Sequence, residues 1–373
     1  MSIEELAEIS RFYGSNPDYV IAGGGNTSFK KEDTLYVKGS GMALADAVPE
    51  AFVRMDRKAL AEIWKKTYPN ESAEREKAVL ADLMAARKEG EGQKRPSVET
   101  MLHDLLPFYY VVHLHPALVN GLTCSQQGKA AMEEIFPESS LRSAAIWIPS
   151  TNPGYILSLR VKTAMDEYRE KHGISARIIF LQNHGVFVGA DTVEEIREIY
   201  SDIMRRLEKK IQRRPDLSSD ETRSPPPEYL RAAEEISGCK AAFLCNREIA
   251  ALVKDRESFF PVSSAFTPDH IVYAGSDPLF TDAVTMEAGK KAWKEHIDKT
   301  GRPPKIAALR GIGVLGFGST EKTAALALEL FNDAVKVAIY SESFGGPRFM
   351  SRDQIDFINN WEVEAFRSKA STK

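Results

Sequence analysis

The sequence predicts an α/β protein that is divided into two domains. Its 373 residues are 43% apolar, which is ordinary for a globular protein, and at about 150 residues per domain this length predicts two. Short apolar runs alternate with longer amphipathic stretches, which is the pattern of strands and helices in an α/β fold. The polar, proline-rich residues 213–229 are typical of a linker. We therefore expect a first domain over residues 1–220 and a smaller α/β domain over residues 221–373.

The composition excludes several classes of protein. Lysine and arginine number 49 against 53 acidic residues, which gives a net charge of −4, whereas a nucleic-acid binder usually carries a basic surface. No apolar run reaches the 18 or so residues that a membrane span needs, and the acidic N-terminus does not resemble a signal peptide. Three scattered cysteines are too few for a disulfide framework. We expect a cytoplasmic protein that binds neither nucleic acid nor membrane.

The first half should begin with a helix and then form a series of short strands. Ile3, Leu6, Ile9 and Phe12 recur at near-helical spacing, and the glycine-rich residues 23–28 should form a loop. The elements expected after this loop are a strand over residues 34–38, helical structure over residues 50–90, a short helix that begins at Ser97, and strands over residues 109–114, 144–148 and 177–182.

A long helix should follow the last of these strands. Asp191 or Thr192 would cap it, since an acidic residue stands three positions further on in either case. Its expected apolar stripe comprises Val193, Ile196, Ile199, Tyr200, Ile203, Met204 and Leu207.

Two pairs of segments suggest an internal repeat. Residues 177–195 align with residues 305–323, because each segment has an apolar run, a glycine and then the start of a helix. Residues 35–40 similarly align with residues 271–276. Chance recurrence of a common unit is the alternative. If the repeat is real, the second copy is shortened and degenerate, since Ile312 stands where the first copy has His184, and the chemistry would belong to the first domain alone.

Three histidines are candidate metal ligands. His113 and His115 end an apolar strand, where alternate residues point to one face with their Cα atoms about 7 Å apart. His184 ends another strand, and Gly185 beside it suits a close backbone approach or an unusual φ. Three imidazoles with an open fourth position form the arrangement of a catalytic Zn²⁺ site. The four remaining histidines, which we expect to be structural or solvated, are His103, His172, His270 and His296.

Glu99 is the candidate proton-transfer residue, in the first turn of the helix expected from Ser97. Such a glutamate is also favoured by the helix dipole without any function. If helix and strand pack as an antiparallel pair, its carboxylate would return towards the histidines.

Candidate donors for an anion are the glycine-rich loop, Ser40 with its flanking glycines, and Ser97. The loop matches neither a dinucleotide fingerprint nor a P-loop.

Taken in order, these motifs resemble those of the class II aldolase/adducin family. The resemblance covers roughly residues 5–212 and implies a three-layer α/β/α domain around a central, mostly antiparallel sheet. The matching motifs are Gly25-Asn26-Thr27-Ser28, Ser40-Gly41, Ser97-Val98-Glu99, His113 with His115, and His184-Gly185.

The resemblance also implies a reaction and the residues that perform it. A ketose 1-phosphate similar to rhamnulose 1-phosphate would be cleaved to dihydroxyacetone phosphate and a short aldehyde. Zn²⁺ or another divalent cation would be bound by His113, His115 and His184, with Glu99 exchanging a proton next to the substrate carbonyl. The phosphate would be held by Gly25, Asn26, Ser28, Ser40, Gly41 and Ser97. Such enzymes are homo-oligomers, and a tetramer is favoured.

The second half resembles a region of rhamnulose-phosphate aldolase proteins that are fused to a short-chain dehydrogenase. The matching residues are Thr267-Pro268-Asp269-His270 and Gly311-Ile312-Gly313-Val314, and we expect this chain to lack the dehydrogenase.

Val98 departs from the family's motif around Ser97 and Glu99, because sugar-phosphate aldolases often have a second serine at this position. Lys38 could compensate for that lost donor.

Other functions on this scaffold stay open. A sugar-phosphate epimerase, a dehydratase or a decarboxylase would need the same metal and phosphate residues. A non-catalytic, adducin-like interaction module is less favoured, because adducin-type proteins lack the metal histidines.

Overall fold

The computed structural model describes residues 1–137, 144–219, 225, 227–283 and 285–361. It confirms the α/β class, with one sheet in each half of the chain and helices against both. No helix among these residues combines the length and the apolar content that crossing a membrane requires.

The first half folds around a seven-stranded sheet with the order β3-β2-β1-β4-β7-β6-β5. Its strands are β1 (Asn26–Lys31), β2 (Thr34–Lys38), β3 (Phe52–Asp56), β4 (Tyr110–Leu114), β5 (Ala145–Ile148), β6 (Ile178–Leu181) and β7 (Gly185–Ala190). Neighbouring strands are antiparallel except for β5 and β6, which are parallel. The mostly antiparallel sheet implied by the family resemblance is therefore confirmed.

Helices cover both faces of this sheet. They are α1 (Ile3–Gly14), α2 (Arg57–Ile63), α3 (Ser72–Ala85), α4 (Thr100–Leu105), α5 (Ala117–Thr123), α6 (Gly128–Ile135), α7 (Tyr155–His172) and α8 (Val193–Glu208). Strand alternation separates two cores: Val112 packs with α1, α5, α6 and α8, whereas Val111 packs with α4 and α7. This gives the expected three layers.

Two helices of the first half test the helical patterns directly. The α8 helix begins after Thr192, whose side chain accepts from the Glu195 amide, and it buries five of the seven residues of the predicted stripe, whereas Ile199 and Met204 are only partly buried. In α1 the expected place of Phe12 on the apolar face is wrong. Phe12 is 54% exposed, and Tyr13 is buried in its place. Residues spaced three apart fall short of a full 3.6-residue turn at each step, so the fourth residue of such a series no longer lies on the buried face.

Three of the expected boundaries in the first half are wrong. The glycine-rich loop ends earlier than expected, since β1 already begins at Asn26. Residues 50–90 are not helical throughout, because they include strand β3, which pairs with β2 along the whole length of both strands. The helix expected from Ser97 begins at Thr100. Pairing with a distant strand overrides local propensity at β1 and β3.

The second half folds around a four-stranded sheet with the order β8-β11-β10-β9. Its strands are β8 (Lys240–Leu244), β9 (Leu279–Thr281), β10 (Ile306–Leu309) and β11 (Gly313–Gly318). Its helices are α9 (Pro227–Ser237), α10 (Arg247–Leu252), α11 (Arg256–Phe259), α12 (Met286–Thr300), α13 (Glu321–Ser341) and α14 (Arg352–Asn360).

This second sheet repeats the β4-β7-β6-β5 part of the first sheet. The strand order is the same, and β9 is parallel to β10 as β5 is to β6. Strands β10 and β11 and helix α13 begin at residues 306, 313 and 321, each 128 residues after β6, β7 and α8. The turns before β7 and β11 also correspond, with positive φ at Asn183 and Gly311. The alignment of residues 177–195 with 305–323 thus reflects a shared supersecondary structure.

The other proposed part of the repeat is wrong. Residues 35–40 contain most of β2, whereas His270–Ala274 forms a π-helical turn that is buried throughout. A short apolar run does not distinguish a strand from a buried helical segment. Among the described residues, the second sheet has no counterparts of β1, β2 and β3.

The two halves share a core. Helix α13 packs against α5 of the first half and also against β8 and β11. The α5–α13 contact is close, since a Cβ atom added at Gly121 would lie 2.3 Å from the Cβ of Tyr340. Ala117 and Cys124 therefore belong to the same apolar cluster as the second half.

Part of the expected linker lies outside the described residues, namely 220–224 and 226. The preceding residues are bound to the second half: Arg213 pairs with Glu248 and Glu342, and Ser219 forms a bridge with Asn246. The domain boundary near residue 220 stays a prediction.

Candidate active site

Three histidines meet at one edge of the first sheet. His113 lies near the end of β4, His115 follows this strand, and His184 lies in the turn between β6 and β7. One ring nitrogen of each lies within 4.8 Å of those of the other two. His113 is fully buried, and its ring stacks on Phe187 with 3.9 Å between the ring centroids. The sequence placed these side chains at strand ends, and the sheet order brings the ends together.

The turn at residues 182–184 brings His184 to the pair on β4. Asn183 has the left-handed φ of 58°, which asparagine tolerates better than most residues. Gly185 then allows the close approach that the sequence predicts, because a Cβ atom there would lie 2.5 Å from the carbonyl oxygen of Leu114. The unusual φ thus belongs to Asn183, and the steric need for glycine belongs to Gly185.

Hydrogen bonds orient two of the three rings. The Nδ1 of His113 lies 3.1 Å from the carbonyl oxygen of Val186. The Nδ1 of His115 lies 2.5 Å from the Oδ2 of Asp269. A carbonyl or a carboxylate only accepts, so we assign the ring hydrogen to Nδ1 in both histidines. Each Nε2 then carries a lone pair.

These rings suit a divalent metal ion. The Nε2 atoms of His113 and His115 lie within hydrogen-bond distance, 2.9 Å apart, so the two nitrogens face the same space and one ion could contact both. Neutral imidazole is a common ligand of zinc, copper, iron and nickel. His113, His115 and His184 could therefore hold a divalent ion.

The Glu99 carboxylate lies beside the three histidines. Its Oε2 is 3.6 Å from the Nε2 of His113, and its Oε1 is 3.6 Å from the Nε2 of His184. Glu99 is 5% exposed, and its Oε1 accepts no hydrogen bond from the residues that the structure describes. A buried carboxylate oxygen of this kind is available to a substrate or to an ion-bound ligand.

Glu99 reaches this position from the N-cap of α4, not from the first turn that the sequence predicts. The helix begins three residues after Ser97 because the Ser97 carbonyl already accepts from Thr100, through its amide at 3.1 Å and its hydroxyl at 2.5 Å. This turn places Ser97, Val98 and Glu99 before the helix.

A network of buried side chains holds Glu99. The Nδ2 of Asn26 donates to Oε2 of Glu99 at 2.6 Å and to the Ser97 hydroxyl at 3.2 Å. The Oδ1 of Asn26 bonds Nε2 of His103, and the Nδ1 of His103 lies 2.8 Å from the Ser28 hydroxyl. Burial lowers the pKa of His103 well below its usual value, so this ring is neutral near pH 7.

Five of the six predicted phosphate-binding residues line a small pocket beside Glu99, His115 and His184. They are Gly25, Asn26, Ser40, Gly41 and Ser97. The sixth, Ser28, does not line the pocket and instead contacts His103 behind it.

Lys38 adds a cation to this pocket. Its buried ammonium group donates to the carbonyl oxygens of Met42 at 2.7 Å and Gly23 at 3.2 Å. The pocket thus combines one positive charge with hydroxyl groups and glycine backbone, which suits an anion.

Sequence reasoning missed two residues of this site. His103 stands four positions after Glu99, a helical spacing that could have linked the two. Asp269 stands 154 residues after His115, and no local pattern connects them. Pro268 also lines the pocket, so the second half contributes residues to a site whose candidate metal ligands and proton-transfer group all lie in the first half.

The first part of the chain matches the model of a known protein family. Residues 4–208 match the class II aldolase and adducin N-terminal domain. This is more than half of the chain and includes the three histidines, Glu99 and all predicted phosphate-binding residues.

A curated relative of this chain is YuxG of Bacillus subtilis (strain 168), described as an uncharacterized oxidoreductase. It is 21% identical over an alignment of 417 positions, which covers 98% of this chain and 58% of the relative. This chain thus spans little more than half of that protein's length.

Solved structures are similar to this chain over slightly more than half of its length. The N-terminal class II aldolase domain of a conserved protein from Thermoplasma acidophilum is 27% identical, with a TM-score of 0.46 over 56% of this chain and 93% of that one. The L-fuculose-1-phosphate aldolase from Thermus thermophilus is 18% identical, with a TM-score of 0.34 over 55% of this chain and 90% of that one.

Proposed function

This chain belongs to the class II aldolase and adducin family, and from that premise we propose that it is a metal-dependent aldolase. Its substrate would be a ketose 1-phosphate similar to rhamnulose 1-phosphate, and its products dihydroxyacetone phosphate and a short aldehyde. The proposed ligands of the metal, Zn²⁺ or another divalent ion, are His113, His115 and His184. Glu99 is the proposed catalytic acid and base.

The observation that carries this proposal is the position of the Glu99 carboxylate. It lies 3.6 Å from two of the three histidines and lines the same pocket as Ser40, Ser97 and Lys38. The proposed proton-transfer group, the proposed metal ligands and the proposed anion pocket thus adjoin one another. An aldol cleavage of a phosphorylated ketose needs these three functions together.

Glu99 would return the proton that completes the cleavage. When the bond between C3 and C4 of the ketose breaks, the C4 hydroxyl group gives its proton to the Glu99 carboxylate and becomes the aldehyde, and the electron pair of the broken bond stays with C3, next to the carbonyl. Protonation of C3 by the Glu99 carboxyl group then gives dihydroxyacetone phosphate. Asn26 holds Oε2 of Glu99, which leaves Oε1 as the oxygen that faces the substrate. A bound divalent ion would act as a Lewis acid towards the substrate carbonyl oxygen.

The pocket residues would hold the substrate phosphate. The Ser40 and Ser97 hydroxyl groups and the Lys38 ammonium group line it, and glycines at positions 23, 25 and 41 expose the backbone. Val98 supplies no donor at the position where related aldolases often have serine, and the Lys38 charge would offset that loss. Holding the phosphate fixes the distance from C3 to Glu99.

The test is an assay of dihydroxyacetone phosphate release from a panel of ketose 1-phosphates with Zn²⁺ present. We expect Glu99→Gln to lower kcat by about 10²- to 10⁴-fold and to leave the bound metal in place. Glu76→Gln is the matched control, since Glu76 is also buried but lies outside this pocket, and its kcat should stay within a few-fold of wild type.

The outcomes distinguish the competing functions. Full activity of Glu99→Gln would remove Glu99 from the mechanism. Turnover that gives an epimer, water or carbon dioxide in place of dihydroxyacetone phosphate would assign another reaction to the same residues. Purified protein that binds no divalent ion would contradict every enzymatic interpretation of this site.

A further inference from the structure

Asp269 joins the second half of the chain to the histidine cluster. It is 5% exposed, and its Oδ2 lies 2.5 Å from the Nδ1 of His115. Gly24 leaves room for this carboxylate, because a Cβ atom at that position would lie 2.7 Å from Oδ2. Both halves therefore make this contact possible. The second half supplies the carboxylate, and the first half has a glycine where a side chain would occupy the same space.

Both halves fix the backbone that carries Asp269. On its N-terminal side, the Phe266 carbonyl oxygen accepts from Nδ2 of Asn183 at 3.1 Å, in the turn that also carries His184. On its C-terminal side, the Nε2 of His270 lies 3.1 Å from Oδ2 of Asp333, which belongs to α13. Asp269 thus has little freedom to leave His115.

The two histidines on β4 are held by different parts of the protein. The acceptor for His113 is the carbonyl oxygen of Val186 in the adjacent strand β7, and it comes from the first sheet itself. The acceptor for His115 is the Asp269 side chain, from the second half. A carboxylate in this position fixes the ring hydrogen on Nδ1 and makes Nε2 a stronger metal ligand.

We propose that Asp269 is a positioning residue for the metal site, acting through His115. This proposal rests on the proposed metal ligands but not on the aldolase reaction. It gives the second half a role in the site, although that half carries Phe243, Cys245 and Ile312 at the positions equivalent to the three histidines. The degenerate copy has no ligand set of its own at those positions and contributes one carboxylate to that of the first copy.

The experiment measures the affinity of the full chain for Co²⁺ and Zn²⁺ by competition with a chelator, together with the visible spectrum of the Co²⁺ form. We expect Asp269→Asn to weaken binding of both ions by about 10- to 100-fold and to change the Co²⁺ spectrum. Asp282→Asn, which replaces an exposed carboxylate of the same half, should bind as wild type does. Urea unfolding of the metal-free proteins verifies that the variants are folded.

A double-mutant cycle tests whether Asp269 acts through His115. In a His115→Ala background, Asp269→Asn should cause no further loss of Co²⁺ affinity, because the ring that it orients is gone. If the two substitutions lower the free energy of Co²⁺ binding by fully additive amounts, the proposal is overturned. An Asp269→Asn protein that binds Co²⁺ as tightly as wild type would also overturn it. Wild-type protein that binds neither ion would overturn the metal site and this proposal together, whereas an unchanged affinity in Asp269→Asn overturns this proposal alone.

Discussion

Asn26 shows how one residue serves two sides of the site. Its amide group donates to Glu99 and to Ser97, and its Oδ1 bonds His103. The sequence motif predicts contact with phosphate, and the side chain also lines the pocket. The bond to Glu99 makes Asn26 a support for the proposed acid and base, which a motif alone does not reveal.

Lys30 offers a pH-dependent prediction at the same scale. It is buried, its Nζ donates to the Phe108 carbonyl oxygen at 2.9 Å, and burial lowers its pKa to about 7 despite nearby Asp104. In the unfolded chain the lysine keeps its usual, higher pKa. Between these two values the unfolded state binds more protons, so the free energy of unfolding should rise with pH from about 7 upwards.

Lys30→Met removes this contribution. Urea unfolding of wild type and variant at pH 7, 8 and 9 should show wild type gaining up to about 1.4 kcal/mol per pH unit relative to the variant. Lys31→Met, at the exposed neighbouring position, should show a constant difference from wild type. Parallel pH profiles for Lys30→Met and wild type would contradict the prediction.

The sequence predicts the site residues to the extent that they stand in local patterns. The three histidines each end a strand, and Glu99 precedes a helix, so their spacing indicates chemistry. Ser28 belongs to the same motif as Asn26 and shares its face of β1, but it lies two residues further along the strand, where it contacts His103 and not the pocket. Asp269 stands in one of the matching motifs of the second half, but nothing in the sequence links it to His115, since only the tertiary fold brings the two together.

Among the elements, β7 and β11 are an informative pair. Each begins at a glycine that leaves no room for a side chain: a Cβ atom at Gly185 would lie 2.5 Å from the carbonyl oxygen of Leu114, and one at Gly313 would lie 2.9 Å from that of Leu244. The two strands have equivalent places in their sheets. They differ in that only Gly185 adjoins the histidines.

Alanine at these two positions should therefore separate folding from metal binding. Gly185→Ala and Gly313→Ala should each lower the free energy of unfolding by about 1–3 kcal/mol, because a neighbouring strand must shift. Only Gly185→Ala should also weaken Co²⁺ binding, since its Cβ would lie 2.6 Å from Cδ2 of His115. Equal metal affinities in the two variants would show that the start of β7 does not position the ligands.

Elements with a strong local pattern agree best with the sequence. The α8 helix has a capping residue and a regular apolar stripe, and β2 has the predicted boundaries. The errors fall where distant partners decide: β3 exists because β2 pairs with it, and His270–Ala274 is helical because α13 and α14 pack around it. Short apolar segments take the conformation that their neighbours impose.

At the scale of the whole molecule, the two halves should unfold together. Helix α13 contacts α5 of the first half and β8 and β11 of the second, and one apolar cluster includes residues of both. Calorimetry should therefore show one transition. Zn²⁺ at 100 times its dissociation constant should stabilise the whole molecule by about 2.7 kcal/mol and move that transition upwards.

Two separate transitions, of which Zn²⁺ shifts only one, would contradict this expectation. Gly121→Ala provides a variant for the same measurement, because its added methyl group would meet Tyr340 where α5 crosses α13. If the halves are coupled there, the variant should lower the single transition or divide it into two, and unchanged unfolding would show that this crossing contributes little.

The contact between His115 and Asp269 also sets an order of events during synthesis. His184 completes the histidine set, but Asp269 is translated 85 residues later (269 minus 184). Ribosomes add about 5–20 residues per second, so roughly 4 to 17 s separate the two. During that interval the growing chain carries the three histidines without the carboxylate that orients His115, and capture of a metal ion before Asp269 emerges would depend on a histidine that is still free to turn.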